Sequence, residues 1–184
     1  VHTNLYIALG AAASTAQSIW LWHEGIDWHV LIPIVFFGTL SMYILHRSIG
    51  LYRVMQRVQN IPKRFKPILN QRVLFIIIGL VSSFICLYLL ITACSARTFW
   101  LFLPPIVIAF FYAVPVLRVH RLRDFGLLKV PVLALTWAWI TALVPLQTST
   151  WPMDASAWTF FSERFFFLMA ITLPFELRDI KVDF

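Results

Sequence analysis

Charge is what this sequence has least of. Only 12% of its 184 residues are Asp, Glu, Lys or Arg, and just eight are acidic, with none between Asp27 and Asp124. A soluble domain carries charge on about a quarter of its residues, so this chain has too little to clothe a water-facing surface. Cysteine is scarce as well. Cys86 and Cys94 are the only two, eight positions apart in one apolar run, where a helix separates them by roughly 12 Å. That is too far for a disulfide between them, and two thiols alone do not make a zinc site; both read as packing residues. No basic stretch precedes Leu5, and the first apolar run outlasts the core of a secretory signal, so the opening is not read as one. The chain starts at Val1 rather than Met and stops at Phe184, just past a charged cluster, which reads as a fragment of a longer protein.

What the sequence has instead is hydrocarbon. It is 60% hydrophobic with a mean hydropathy of +0.81, and its apolar residues fall in blocks of about 20, the helical length of a bilayer core. Six blocks read as transmembrane spans: Leu5 to Trp22, Trp28 to Leu45, Val73 to Cys94, Phe99 to Leu117, Leu127 to Leu146 and Trp158 to Pro174. The first is rich in small residues (Gly10, Ala11, Ala12, Ala13, Ser14), which suits close helix packing in lipid. In the fourth, Pro104, Pro105 and Pro115 should kink or break the helix, a fault that membrane helices tolerate when neighbours satisfy the freed carbonyls.

The net charge of +7 does not point to nucleic acid, because the basic residues sit in the gaps between apolar blocks. There they report orientation. Arg47, Arg53, Arg57, Lys63, Arg64, Lys66 and Arg72 lie in the second gap, Arg118, Arg121, Arg123 and Lys129 in the fourth, and Arg178 and Lys181 in the tail. If every block crosses, all thirteen share one side, against Arg97 and Arg164 on the other. This split places the N-terminus, both basic loops and the tail in the cytoplasm. Trp20, Trp22, Trp28, Trp100, Trp151 and Trp158 then line the outer interface as an aromatic belt, a pattern that packing also explains in part. The connection from Ile49 to Asn70 mixes apolar and basic residues and suits an amphipathic segment on the anionic inner leaflet.

The tail is the chemically richest stretch. Glu176, Asp179 and Asp183 are three and four residues apart and share one face if helical. Hard carboxylate oxygens gathered in this way suit Mg²⁺, which binds one or two carboxylates together with substrate phosphates. The simpler alternative is that Arg178 and Lys181 neutralise them as ordinary ion pairs where a span meets water. Glu163 and Arg164 lie within the sixth span near its outer end, where charge is costly unless it snorkels or pairs with another helix.

Six features in order resemble the UbiA superfamily of intramembrane prenyltransferases, in particular its divergent bacterial branch: Asn4-Leu-Tyr-Ile-Ala-Leu, Tyr43-Ile-Leu-His-Arg47, Tyr112-Ala-Val-Pro115, the loop Leu122 to Lys129, Ala134-Leu-Thr-Trp-Ala138, and the tail Pro174 to Asp183. The resemblance covers most of the chain and implies one transmembrane domain over residues 1–184. It would be an all-α bundle of about six helices out of nine, truncated at the C-terminus, in the bacterial inner membrane. It implies Mg²⁺ held by Asp179, Asp183 and Glu176, and an isoprenyl diphosphate bound by Arg47, Arg53, Arg118, Arg121, Lys129 and Arg178. The prenyl group would pass to an aromatic or lipid-like acceptor. For the basic residues the plain alternative is a topogenic charge at a helix end. The sequence also departs from the family: where its first aspartate motif belongs, after the second span, this chain reads Tyr43-Ile-Leu-His-Arg-Ser-Ile-Gly-Leu-Tyr-Arg53. That keeps two further readings open, a catalytically inactive relative that binds lipid or isoprenoid, and a small transporter.

Overall fold

The computed structural model describes residues 2–22, 29–57, 72–113, 129–149 and 152–180, with backbone alone at 2–3, 49–57, 72, 113 and 175–180. Among these residues there are six rods of helix and no strand. They are α1 (His2–Trp22), α2 (Leu31–Arg57), α3 (Arg72–Ala93), α4 (Ala96–Ala113), α5 (Lys129–Thr148) and α6 (Ala155–Ile180). The described part of each expected span falls on its own helix, with residues 28, 114–117 and 127–128 outside the described residues, but the ends differ. Helix α2 runs on to Arg57, taking in backbone that the charge pattern assigns to a separate surface segment, because charged side chains interrupt an apolar run without ending a helix; residues 58–70 of that segment lie outside the described residues. For the same reason α6 continues through Pro174 to Ile180.

Three stretches are long and apolar enough to cross a membrane: Leu31–Ser48, Val73–Ala93 and Lys129–Thr148, with mean hydropathies of 1.3, 2.8 and 1.5. Ala96–Tyr112 in α4 is apolar but shorter. Helices α1 and α6 have the length, yet interleave Asn4, Thr15, Gln17 and Ser18, or Ser162, Glu163 and Arg164, among their apolar residues.

The chain forms two compact units, one of Val1–Ala13 with Val30–Ala93, the other of Ser14–His29 with Cys94–Phe184. In the first, α2 and α3 pack along each other through reciprocal glycine notches. A Cβ built on Gly79 of α3 would lie 2.9 Å from Cγ2 of Ile44, and one on Gly38 of α2 would lie 3.2 Å from Sγ of Cys86. Without those methyl groups the backbones come close, and the Cys86 thiol reaches the carbonyl of Ile34 at 3.6 Å. The packing role expected for Cys86 is thus met.

In the second unit the first half of α5 packs on α6 and α4 and its last turn on α4, and here proline shapes the contacts. Pro105 has no N–H for the carbonyl of Leu101 four residues back. Helix α4 is nonetheless continuous, and the indole Nε1 of Trp139 donates to that carbonyl at 3.0 Å. Pro145 likewise deprives the carbonyl of Thr141. There the helix widens into a π turn over Trp139–Leu143, closed by the N–H of Val144 donating to the Trp139 carbonyl. The Ser18 hydroxyl donates to the Thr141 carbonyl at 2.6 Å. For Pro105 a neighbour does satisfy the carbonyl that proline frees, as expected of the fourth span, but the helix is not broken there; Pro115 lies outside the described residues.

Polarity across the helices runs opposite to that of a water-soluble protein. On α3, Leu80, Phe84 and Ile91 are 65%, 71% and 66% exposed while Ser82 is buried at 3%. On α1, Tyr6, Leu9, Trp20 and Leu21 face outward; Asn4, Ala8, Ala11, Thr15, Ser18 and Ile19 are buried. Exposed hydroxyls bond back one turn: Ser83 to Gly79, Thr92 to Tyr88, Thr159 to Ala155 and Ser162 to Trp158, at 2.7 to 2.9 Å. In water such bonds compete with solvent and are a minor feature. Of the expected belt, Trp20, Trp100 and Trp158 are exposed; Trp28 and Trp151 lie outside the described residues.

Candidate functional site

The end of α6 carries the residues with the most chemistry. Its backbone stays helical through Glu176, Arg178 and Asp179, so Glu176 and Asp179 stand one turn apart, the register that a shared metal requires. Carboxylates are hard oxygen donors and suit Mg²⁺ by type. Asp183, Arg118 and Arg121 lie outside the described residues, and Arg53 falls on the backbone-only end of α2. Arg47, near the middle of α2, and Lys129, the first residue of α5, are both partly exposed. They belong to different units. Among the described residues no three His, Cys, Asp or Glu side chains gather to hold a metal, which does not extend to the side chains of Glu176, Asp179 and Asp183.

A scan of protein-family models, a search of curated proteins and a search of solved structures each found no match to this chain.

A polar cluster within the second unit was only half visible in the sequence. Arg164, flagged by its cost inside a span, is 5% exposed. Its Nη2 donates to Oε1 of Gln17 at 2.9 Å, and its guanidinium lies over the ring of Phe160, 5.4 Å from the centroid. Phe160 in turn meets Trp22 edge to face at 5.6 Å. Arginine suits such a place because its planar, weakly hydrated group stacks on aromatics while donating hydrogen bonds. It pairs across to α1 rather than snorkelling. Its partner Gln17 carries no distinctive signal, being one of several polar side chains in α1. Arg97 donates from Nη2 to Oε1 of Gln147 at 2.7 Å.

At the start of α6, Asp154 is the N-cap. Its Oδ1 accepts from the Ser156 hydroxyl at 2.6 Å and from the N–H groups of Ser156 and Ala157, both at 3.0 Å. These bonds, that from the Ser156 hydroxyl foremost and then that from the Ala157 amide, hold its carboxyl below the usual aspartate range.

Proposed function

We propose that this chain is a multi-span α-helical membrane protein of UbiA type that transfers a prenyl group from an isoprenyl diphosphate to an aromatic or lipid-like acceptor within the bilayer. The observation that carries the membrane part is the reversed polarity of α1 and α3, with large apolar side chains outward and Asn4, Thr15, Ser18 and Ser82 inward. Water would penalise that surface, whereas lipid favours it. Three helices of spanning length agree with it.

The site part rests on the tail. Glu176, Asp179 and Asp183 are the proposed Mg²⁺ ligands, and Arg178, Lys129, Arg118 and Arg121 of the same unit the diphosphate ligands. The roles of Arg47 and Arg53 rest on the sequence alone. In such a transfer the carbon–oxygen bond to the diphosphate breaks with its electron pair. The acceptor then attacks the allylic carbon and loses a proton. The chain's task is to hold the developing negative charge of the leaving group; bound Mg²⁺ adds Lewis-acid stabilisation there. Arginine and lysine offer the complementary charge, arginine in bidentate form. No side chain is needed as a covalent nucleophile.

Farnesyl diphosphate binding to the detergent-solubilised protein, with and without Mg²⁺, tests this. Mg²⁺-dependent binding abolished in Asp179→Ala and Asp183→Ala, with turnover of an aromatic acceptor, is the expected result. The absence of any acidic residue between Asp27 and Asp124 favours a second reading, a lipid-binding relative without transfer; binding with no product on long incubation selects it. No binding at all overturns both and leaves the transporter reading.

A further inference from the structure

One buried charge takes no part in the proposed transfer. Arg164 precedes Arg178 by 14 residues of α6, roughly 21 Å of helical rise, so it stands well away from the proposed metal and diphosphate ligands. It is 5% exposed, and arginine keeps its charge. Burying a cation without a counter-charge is costly. Yet among the described residues no carboxylate pairs with it. Glu163, next along the helix, is exposed and acts on it only through space. Its polar partner, Gln17, is neutral. The face of Phe160 relieves part of the cost but supplies no acceptor.

A guanidinium has five N–H donors, and Gln17 takes one, on Nη2. Nε and Nη1 have no acceptor among the described residues. Neither belongs to the side-chain atoms that are both unpartnered and sealed from the surface, so both touch accessible space. Gln17 is itself exposed. With its Oε1 turned to Arg164, its Nε2 is left as a further donor at the surface. The level of the cluster selects the acceptor. A helical side chain leans toward the N-terminus of its helix, and the guanidinium accordingly sits over Phe160, one turn back. Trp158, half a turn further, and Trp20, three residues beyond Gln17, are both exposed; outward tryptophans mark the headgroup level of a bilayer. The abundant oxyanion at that level is phosphate, whose geometry the arginine fork matches. We propose that Arg164 and Gln17 form a binding site for a phosphate group, carried by a lipid headgroup or free in solution, whose oxygens accept hydrogen bonds from Nε and Nη1 of Arg164 and from Nε2 of Gln17. The site lies wholly within the second unit and does not depend on the prenyl-transfer reading.

The Nε–H signal of Arg164 reads the site directly. In the full chain, ¹⁵N-labelled at arginine and held in nonionic detergent, this signal is assigned by its loss in Arg164→Gln. Dioleoylphosphatidylglycerol moves it downfield in a saturable way, while dioleoylglycerol, with the same chains and no phosphate, leaves it in place. Gln17→Glu gives Arg164 a carboxylate of the chain's own, and the lipid then binds about tenfold more weakly; unmoved signals from the other arginines confirm an intact fold. Inorganic phosphate distinguishes the sources. No movement at a concentration where the lipid saturates identifies a headgroup phosphate, and an equal movement identifies a free one. An Arg164 signal unmoved by both the lipid and inorganic phosphate, or moved as far by dioleoylglycerol, overturns the proposal. So does equal lipid affinity in Gln17→Glu. A signal that moves on Glu24→Gln or Asp27→Asn without any lipid overturns it too, because a carboxylate of the chain then already answers the guanidinium.

Discussion

Where α2 meets α3, the contact is made by what is missing: Gly38 and Gly79 carry no side chain, and Cys86 and Ile44 settle into the gaps. In the other unit the helices meet through what has been taken away from the backbone and given back by a neighbour. Pro105 and Pro145 strip two carbonyls of their N–H partners, and Trp139 and Ser18 replace them. The first kind of contact is steric and intolerant of added volume. The second is polar and intolerant of lost donors. In lipid, where hydrophobic drive between helices is small, close packing and hydrogen bonds would be the two means left; this chain uses one in each unit.

The comparison breaks most sharply at Gly79. Gly79→Leu forces atoms into space that Ile44 already fills and is expected to cost about 3 kcal/mol in reversible unfolding in mixed micelles, the upper range for overpacking. Gly10→Leu, where an added Cβ meets nothing within 4 Å, is expected to lose no stability. Next comes the polar unit's buried cation. Gln17→Leu leaves Arg164 without its hydrogen-bond acceptor and is expected to cost about 2 kcal/mol, with the Gln17→Leu, Arg164→Leu double variant recovering part of it.

A finer test separates proline's effect from the donor's. Ser18→Ala orphans the Thr141 carbonyl and is expected to cost about 1 kcal/mol. In a Pro145→Ala background residue 145 regains an N–H for that carbonyl, and the same Ser18→Ala change should then cost measurably less, read as a coupling energy in a double-mutant cycle. The smallest effect lies at the cap of α6. Because the Asp154 carboxyl is held below its ordinary range, its contribution is complete above that range and is lost as pH falls through the lowered value. Stability therefore declines on acidification. Asp154→Asn is expected to remove that part of the slope in unfolding curves taken at successive pH values.

Much of this was legible in the chain itself, but unevenly. Six apolar runs correspond to six helices because hydropathy and helix length report the same requirement, a backbone bonded internally across some twenty residues. The ends were less legible: Ser48 to Arg57 and Leu173 to Ile180 carry polar residues that end the apolar run yet still form helix. The proline sites were visible as a need, but their remedy was not. Trp139 is 38 residues from Leu101, and Ser18 is 123 residues from Thr141, separations that no local pattern encodes. Arg164 was visible as a cost and Gln17 was not visible as its answer. For Glu176 and Asp179 the helical backbone agrees with the spacing. The notched α2–α3 contact had no sequence signal beyond two glycines.

The widened turn at Trp139–Leu143 has one more consequence. Each residue advances an α-helix by about 100°, so a single extra residue in one turn swings everything beyond it by nearly a third of a revolution. Along the rod from Lys129 to Thr148 the neighbours change: the first half packs on both α6 and α4, the last turn on α4. Deleting one residue from this turn would restore even winding and rotate Val144 to Thr148 off α4. A single amino acid thus sets which way the far end of the helix looks.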